Sequence, residues 1–444
     1  MTARLNKLLL VALSLVAVVQ AADEVFSSPA SFSSIAFSSC HKLPAEDGSG
    51  QSPMLKAIAA QQPDAFLWTG DAVYSGKKST LSDLSDSFSA LSSFAPYQEF
   101  KHSIPKIFGV WDDHDYGRND SGSETPDKKS RLNLYLDFLG IPLSSPRRER
   151  EGNYHSVLLG SSPSSKVKVI FLDTRWHRAR HFVPSVGGAS RLPLAAVLAA
   201  FSRLAVSLSS LGSRYGGSML GEEQWLWLKS ELEAGDAKYH VIVSSVQVLT
   251  SNPLVESWGH YPLEKGRLLS LLRETNPPNL VLLSGDVHHA ELSGLGNLLE
   301  ATASGMTHSC ASPWYGFTCP IMLDSFPSHR INGFYSTEQN YGVLRFHHEE
   351  KVPRVSISFH DVSGKVLYAL SKAFPPGAKL LTANDIATAP PTICEEPQWK
   401  VLGAAVAAAA ITVLIAVTLR THFWVQREEI RRRRVLSALR KKHD

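Results

Sequence analysis

Between residues 22 and 399, short apolar runs alternate with amphipathic stretches, and each apolar run leads to a polar residue. The runs and the polar residues they lead to are Ile35 to Phe37 (Cys40), Ala65 to Trp68 (Asp71), Ile107 to Trp111 (Asp112 and Asp113), Val167 to Leu172 (Asp173), Val241 to Val243 (Ser244 and Gln247) and Leu280 to Leu283 (Asp286). The amphipathic stretches are Pro53 to Gln62, Leu132 to Leu139, Glu222 to Leu232 and Leu263 to Leu272. This alternation predicts an α/β fold with a largely parallel core.

The pattern changes after Asp286, where the chain becomes rich in Gly, Ser and Thr. Shorter alternating segments around Val343 to Phe346 and Arg354 to Phe359 predict antiparallel strands that close the same domain, which spans residues 22–399. Residues 182–218 interrupt the alternation and predict an insertion loop with some helix. Residues 361–399 are predicted to form a membrane-proximal stalk.

The amino-terminal segment has the features of a signal peptide. Arg4 and Lys7 precede the apolar run Leu8 to Val19, and Val19-Gln20-Ala21 offers the small residues that a signal peptidase accepts. We therefore predict a signal peptide over residues 1–21 and a mature chain that begins near Ala22. The alternative is an uncleaved anchor, for which the apolar run is short.

Near the carboxyl end, the 19 residues Val401 to Leu419 carry no charge and predict a transmembrane helix over residues 400–420. A buried core helix is the alternative, but the run is apolar all round and a basic tail follows it. From Arg420 to Asp444 there are nine Lys or Arg and three Asp or Glu, which predicts a cytosolic tail over residues 421–444. Both ends thus predict a single-pass type I membrane protein with a lumenal or extracellular domain.

Composition and charge narrow the class of protein. Apolar residues make up 43% of the chain and charged residues 19%, which predicts a folded globular domain. The formal net charge of +4 comes from the tail, so the rest of the chain is slightly acidic and no nucleic-acid-binding surface is expected.

Lys441 and Lys442 resemble a dilysine retrieval signal read by coat proteins, although a chance match is the alternative in so basic a tail. This favours the endoplasmic reticulum membrane, with the plasma membrane as the alternative.

Metal-ligand residue types follow three of the predicted strands. The three motifs are Gly70-Asp71-Ala72-Val73-Tyr74, Trp111-Asp112-Asp113-His114-Asp115 and Gly285-Asp286-Val287-His288-His289. Carboxyl ends of parallel strands meet at one sheet edge, and oxygen donors with imidazole suit iron, manganese, zinc, magnesium or calcium. Each motif alone is also ordinary loop chemistry. The three in this order predict a metal centre of the kind that acts on phosphoryl groups.

These residues resemble the PhoD-like (alkaline phosphatase D) branch of the calcineurin-like metallophosphoesterase superfamily, over most of Ser33 to Phe359. The resemblance rests on Ser39-Cys40, Gly70-Asp71-x-x-Tyr74, Trp111-Asp-Asp-His-Asp115, Leu172-Asp-Thr-Arg175, Gly285-Asp-Val-His288 and Asn340-Tyr-Gly342. It implies an α+β sandwich of two sheets flanked by helices, with two or more metal ions at one edge. It also implies an enzyme that hydrolyses phosphoric esters.

The ligands that the resemblance implies divide into two sites. Fe(III) is held by Cys40, Asp71, Tyr74 and His288, since a thiolate and a phenolate stabilise a trivalent metal. Asp71 bridges to a second cation, calcium, zinc or manganese, held by Asp113 and Asp286. Cys40, Asp113 and Asp286 depart from the broader superfamily pattern of an Asp-x-His element and an Asn-His pair, which leaves the second metal open.

Further site residues are implied around these ligands. His114 is expected to contact phosphate or the leaving oxygen, and Arg175 to clamp the phosphoryl oxygens. Gln247 lies where many relatives place a histidine ligand, and Asn340 is a further candidate. Hydroxide activated by the metals would attack phosphorus in line with the leaving group, in a monoester or a diester. The alternative function is a membrane-tethered binding protein that has lost turnover.

The four cysteines and one sequon leave alternatives open. Cys40 is predicted to be a thiolate ligand, and half of a disulfide is the alternative in an oxidising lumen. Cys310 and Cys319 flank a short loop and can pair, which would leave Cys394 free or intermolecular, but spacing does not establish connectivity. Asn119-Asp120-Ser121 is a predicted glycosylation acceptor.

Overall fold

The structure is a computed structural model, and it describes residues 24–26, 32–43, 52–76, 78–162, 165–189, 195–235, 237–312, 316–401 and 403. The predicted signal peptide over 1–21 and the tail over 421–444 lie outside these residues, as does nearly all of the predicted helix over 400–420. Within the described ranges, no helix has the length and apolar character needed to span a membrane.

The strands form two sheets. The strands of the first are β1 Glu24–Phe26, β5 His155–Leu159, β6 Val167–Leu172, β7 Tyr239–Ser244, β8 Leu280–Ser284, β9 Ala290–Leu295, β10 Leu298–Ala303 and β11 Arg330–Ser336. Those of the second are β2 Ser34–Ser38, β3 Ala65–Trp68, β4 Ile107–Gly109, β12 Asn340–His347, β13 Arg354–Asp361 and β14 Val366–Ala373. The spatial orders are β1-β5-β6-β7-β8-β10-β9-β11 and β14-β13-β12-β2-β3-β4.

Helices flank these sheets. They are α1 Pro53–Ala60, α2 Leu81–Ser93, α3 Ala95–Ser103, α4 Asp113–Tyr116, α5 Lys128–Phe138, α6 Ala195–Ser209, α7 Glu222–Glu233, α8 Pro262–Thr275, α9 Thr318–Asp324 and α10 Ala383–Thr388, with 3-10 turns at Pro146–Arg148 and Trp258–His260. The predicted amphipathic stretches correspond to α1, α5, α7 and α8. The insertion over 182–218 contains α6.

The parallel strands are buried on both faces, which explains why they appear as continuous apolar runs. In β6, Val169 belongs to the core between the two sheets, whereas its neighbour Ile170 packs with Trp225 and Leu268 of the covering helices. Side chains of β2 and β3, such as Ile35, lie in the same core as Val169. Two sheets flanked by helices are thus confirmed, but the predicted parallel core is divided between them, with β2, β3 and β4 in one and β6, β7, β8 and β10 in the other.

Residues 361–399 differ from the predicted stalk because they pack on the domain. β14 pairs antiparallel with β13 at the edge of the second sheet. Further on, Cys394 N donates to Ser207 O of α6 at 3.0 Å, and Ile393 is buried. Alternating apolar positions that complete a sheet edge, together with a buried isoleucine, hold the segment on the domain up to the predicted membrane helix.

Candidate metal centre

The candidate metal ligands lie where strands of both sheets end. Cys40 follows β2, and Asp71 and Tyr74 follow β3. Asp113 begins α4, shortly after β4, while Asp286 follows β8 of the other sheet. Since β2, β3 and β4 are parallel neighbours, the side chains after them share one edge.

Short links join the two sheets at this edge. Ser39 forms a parallel bridge with Ser304, and Met306 N donates to Ser39 O at 3.2 Å. A Cβ added at Gly285 would lie 2.5 Å from Ser39 Oγ, so the close approach requires glycine there. As a result, Cys40 Sγ of one sheet lies 3.7 Å from the carbonyl oxygen of Asp286 in the other.

Four of the candidate ligands have a left-handed backbone. The φ angles are 62° at Cys40, 49° at Asp71, 69° at Asp286 and 58° at His288. For a residue with a Cβ this region costs roughly 1–3 kcal/mol, and such residues concentrate at functional sites where surrounding contacts hold them. All four residues lie at the same edge, where the donor atoms of Cys40, Asp71 and His288 form one group and that of Asp286 joins those of Asp112 and Asp113.

The predicted iron ligands are in mutual contact. Cys40 Sγ lies 3.8 Å from Asp71 Oδ2, and Tyr74 Oη lies 3.2 Å from His288 Nε2. Donor atoms of Cys40, Asp71 and His288 all fall within 4.8 Å of one another. This set of one thiol, one carboxylate, one phenol and one imidazole fits a trivalent metal such as iron.

The carboxylate side forms a second group that shares Asp71. Donor atoms of Asp71, Asp113 and His114 lie within 4.8 Å of one another, and those of Asp112, Asp113 and Asp286 do so as well. Asp113 Oδ2 accepts the Asp120 N–H at 2.7 Å, whereas Asp113 Oδ1 is buried and has no hydrogen-bond partner among the described residues. An unpartnered buried carboxylate oxygen fits a cation ligand.

The charges of this cluster need a cation. Burial, and then the neighbouring Asp113, raise the pKa of Asp71 well above its usual range. Burial and Asp71 likewise raise the pKa of Cys40. Burial, with help from His308, lowers the pKa of His288 to about 3, so its imidazole is neutral and free to ligate. A bound cation reverses the unfavourable charge of the anionic donors.

His114 lies at the mouth of the cluster. Its ring centroid is 4.2 Å from that of Tyr74, and its Nε2 is 3.9 Å from Asp113 Oδ1. The side chain is 24% exposed, whereas that of Asp113 is buried. The imidazole can therefore reach a phosphate that approaches from solvent.

Arg175 lies behind the carboxylates, away from the mouth. Its Nε donates to Asp112 Oδ1 at 2.6 Å and its Nη1 to Glu256 at 3.1 Å, in a fully buried position. Ser245 Oγ donates to the same Asp112 oxygen at 2.6 Å. Its Nη2 has no hydrogen-bond partner among the described residues, so the role of Arg175 as a phosphoryl clamp stays a prediction.

The two further candidates, Gln247 and Asn340, belong to other networks. Gln247 Nε2 donates to Glu291 Oε1 at 2.8 Å and to Thr302 Oγ1 at 3.0 Å. The Asn340 carbonyl accepts from Ser38 Oγ at 3.0 Å, and its side-chain amide donates to the Glu338 carbonyl. Gln247 therefore joins a buried polar cluster on β9 and β10, and Asn340 supports the pairing of strands beside the site.

The structure adds residues that sequence reasoning did not single out. Ser304 Oγ lies 3.1 Å from Cys40 Sγ and accepts the His288 N–H at 2.9 Å. The His308 ring centroid lies 4.5 Å from that of His288. Both follow β10, whose sequence LLEATA includes Glu300 and Thr302, so the apolar-run signal that located the other ligands is weak at this strand.

A buried carboxylate joins two of the ligand loops. Asp115 accepts the N–H groups of Ala72 and Val73 at 3.2 and 3.0 Å, and that of Asp112 at 3.2 Å. The loop after β3 and the start of α4 are thereby fixed to each other. Asp115 therefore positions ligands without being one of them.

The structure shows which cysteines are paired. Cys310 and Cys319 form a disulfide, and Cys310 N donates to His288 O at 2.8 Å, so this loop begins beside a ligand. Cys40 and Cys394 are free.

Asn119 is half-buried, and a Cβ added at Gly187 would lie 2.6 Å from its Nδ2. Glycosylation of Asn119 stays a prediction.

Comparison with known proteins identifies the family. The model of the PhoD-like phosphatase family matches residues 35–309. Alkaline phosphatase D of Bacillus subtilis (strain 168) is 30% identical over 95 residues, which are 20% of this chain and 16% of that protein. The solved structure of PhoD superposes with a TM-score of 0.52 at 16% identity, over 81% of this chain and 77% of that one, and so shares the fold. Because the family match spans more than half of the sequence and includes every strand end that carries a candidate ligand, this chain belongs to the PhoD-like phosphatase family.

Proposed function

We propose that this chain is an enzyme that hydrolyses phosphate esters, monoesters, diesters or both, at a centre of two or more metal ions. The observation that carries the proposal is the sharing of Asp71 between a thiol and imidazole group on one side and a carboxylate group on the other. A carboxylate in that position suits a bridge between two cations. Membership of the PhoD-like phosphatase family supports the same activity.

The chain's own donors account for two different metals. Cys40, Tyr74 and His288 would hold Fe(III) together with Asp71, and Asp113 with Asp286 would hold calcium, zinc or manganese. When bound, the cations supply the Lewis acidity that makes water nucleophilic near neutral pH and polarises a phosphoryl oxygen.

Two basic residues assist from different positions. His114, partly exposed at the mouth, would donate a hydrogen bond to a phosphate oxygen or to the leaving oxygen. Arg175 would act through Asp112, which it holds in place while Asp112 lies among the donors Asp113 and Asp286. In this proposal Arg175 is a positioning residue, and its role as a phosphoryl clamp stays a prediction.

The test is hydrolysis of 4-nitrophenyl phosphate and bis(4-nitrophenyl) phosphate by the purified full chain, loaded with defined metals. Hydrolysis by the wild type, lost together with metal content in Asp71→Asn, would support the proposal. A wild type that binds metals and phosphate without turnover would favour the alternative, a membrane-tethered binding protein. Full activity in a metal-free Asp71→Asn protein would contradict both the bridge and the mechanism.

We also propose a type I membrane topology, with the described domain in the lumen of the endoplasmic reticulum. The support comes from sequence: the apolar run before Ala22, the uncharged run Val401 to Leu419 and the basic residues that follow it. Lys441 and Lys442 would be read by coat proteins, and the plasma membrane is the alternative destination.

A further inference from the structure

A large cavity lies next to the metal centre, on the side of Asp113. Its volume is about 530 Å³, and its walls come from residues 78–79, from the chain after α4 and from residues 180–189, which include the start of the insertion. Asp120 lines the cavity, and its N–H is the donor that holds Asp113 Oδ2 at 2.7 Å. The cavity and the candidate second metal ligand are therefore separated by one hydrogen bond.

The insertion is packed closely against this wall. Asp120 accepts hydrogen bonds from Ser185 Oγ and from Arg203 Nη1, the latter at 3.1 Å. A Cβ added at Gly187 would lie 2.6 Å from Asp120 Oδ2, so the loop backbone packs against Asp120 too closely for a side chain at position 187. Within the PhoD-like domain, the insertion thus completes a cavity that the motif after β4 begins.

The charge of the lining favours an anion. Lys78, Arg118 and Arg180 are exposed cations on the lining, and Arg118 Nε donates a hydrogen bond to the Lys78 carbonyl at 3.2 Å. Asp120 is neutralised by Arg203, which leaves the exposed Glu124 as the opposing carboxylate.

Arg131 also lines the cavity, but its guanidinium already donates hydrogen bonds to the protein backbone. Its guanidinium donates to the carbonyl groups of Ser79, Tyr116 and Pro126. The cations that can meet a ligand are therefore those at the rim.

Two buried polar atoms in the wall lack partners. Ser121 and His181 are 8% and 5% exposed, and both line the cavity. Among the residues that the structure describes, Ser121 Oγ and His181 Nε2 have no hydrogen-bond partner, and the nearest carboxylate oxygen to Nε2 is that of Glu256 at 3.6 Å. Both atoms are inaccessible to solvent, so a ligand in the cavity would meet the exposed cations of the lining and not these two atoms.

We propose that this cavity binds a second phosphoryl group, carried by the alcohol portion of the substrate. The exposed cations of the lining, Lys78, Arg118 and Arg180, are phosphate-binding groups. The volume exceeds that of one phosphate and leaves room for the alcohol portion between the two groups. The inference rests on the proposed function, because it takes the first phosphoryl group to be bound at the metal centre.

The experiment compares fructose 1,6-bisphosphate with fructose 6-phosphate, which differ by one phosphoryl group. The quantity measured is the ratio of their kcat/KM values for the wild type, Arg118→Gln and Arg180→Gln in the metal-loaded full chain. Each substitution removes one charged donor at an exposed position, so the ratio should fall about tenfold. Arg273→Gln, an exposed arginine on α8 outside the cavity, is the matched control and should keep the wild-type ratio.

Two outcomes separate this inference from the proposed function. Ratios in Arg118→Gln and Arg180→Gln equal to that of Arg273→Gln would overturn the second phosphate site while leaving hydrolysis intact. If the wild type hydrolyses neither sugar phosphate, the affinities for the same two compounds, measured by calorimetry, test the cavity assignment. Tighter binding of the bisphosphate, lost in both variants, would then support the cavity assignment, and equal binding of the two compounds would overturn it.

Discussion

The left-handed backbone at Cys40, Asp71, Asp286 and His288 connects the chemistry of single residues to the shape of the site. An extended backbone would continue each strand and carry the side chain past the edge. The left-handed turn instead directs the donor atoms toward each other at a cost of roughly 1–3 kcal/mol per residue. Cation binding offsets that cost, since unpaired anionic donors in a buried cluster are otherwise unfavourable.

The identity of the first metal can be tested at Cys40 and Tyr74. A thiolate and a phenolate bound to ferric iron give charge-transfer absorption, so we expect the iron-loaded protein to be coloured. Tyr74→Phe and Cys40→Ser should each remove part of the visible absorption and reduce bound iron. The measurement is an absorption spectrum with metal analysis, and Cys394→Ser is the matched control. A colourless, iron-free protein with full activity would rule out iron at this position.

At the scale of elements, the ligand loops are held to each other by hydrogen bonds from backbone to buried carboxylates. Asp115 binds the loop after β3 to the start of α4, and Asp173 at the end of β6 accepts the N–H groups of Asn153 and Arg175. These carboxylates fix the relative positions of elements that come from different parts of the chain. The ligand geometry therefore depends on residues that do not touch a metal.

Asp115→Asn tests this dependence. The amide keeps the shape of the side chain but weakens its three backbone contacts, so we expect metal affinity to fall about 10- to 100-fold, the range for residues that orient ligands. Titration of the apoprotein with metal, followed by the metal content at saturation, checks the prediction. Asp137→Asn on α5, whose side chain is 58% exposed, is the control. Unchanged affinity in Asp115→Asn would show that the loops keep their positions without this carboxylate.

At the scale of the whole molecule, the site joins two sheets that meet at one edge, and its charge couples metal binding to folding. Asp71 and Asp286 both have pKa values raised by burial and then by neighbouring aspartates. In the metal-free protein the folded state therefore holds protons that the unfolded state has lost. The contribution of these two carboxyl groups to the free energy of unfolding is therefore greatest at low pH and decreases as the pH rises above the ordinary carboxyl pKa of about 4.

Metal should reverse this dependence. Since the ligands bind in their deprotonated forms, the stabilisation by metal should grow with pH. We expect the difference in Tm between metal-loaded and chelator-treated protein to be larger at about pH 8 than at about pH 5. Thermal unfolding at both pH values measures it, and Asp71→Asn should show a smaller difference. Equal differences at the two pH values would mean that the cluster does not bind the metal.

The proposed topology makes a separate prediction for the tail. If Lys441 and Lys442 form a retrieval signal, changing both to serine should move the protein to the cell surface and leave hydrolysis intact, because neither lysine lies in the proposed lumenal domain. Surface labelling of wild type and double variant measures the effect. A double variant of Arg433 and Arg434, outside the dilysine spacing, is the control. Equal surface fractions in all three proteins would leave the tail as a determinant of topology alone.

The sequence by itself determined the buried parallel strands that precede the ligands, the order of the ligands along the chain and the family resemblance. Runs such as Ala65 to Trp68 and Val167 to Leu172 form strands with those bounds, since burial on both faces leaves a local signature. The ligands Asp71, Asp113 and Asp286 were visible for the same reason, because each follows such a run. The strand and ligand patterns are local, and a window of a few residues contains each of them, while the family resemblance comes from their order along the chain.

Only the tertiary structure decided how the strands divide into two sheets, which cysteines pair and what Arg175 contacts. The parallel neighbours of β3 and of β7 have the same apolar pattern, so sequence cannot assign them to different sheets. Arg175 pairs with Asp112 and Glu256, which are 63 and 81 residues away along the chain. The cavity beside Asp113 likewise forms where the insertion packs on the motif after β4. Each of these contacts joins distant segments, and their pairing depends on the packing of the whole domain, which local patterns do not contain.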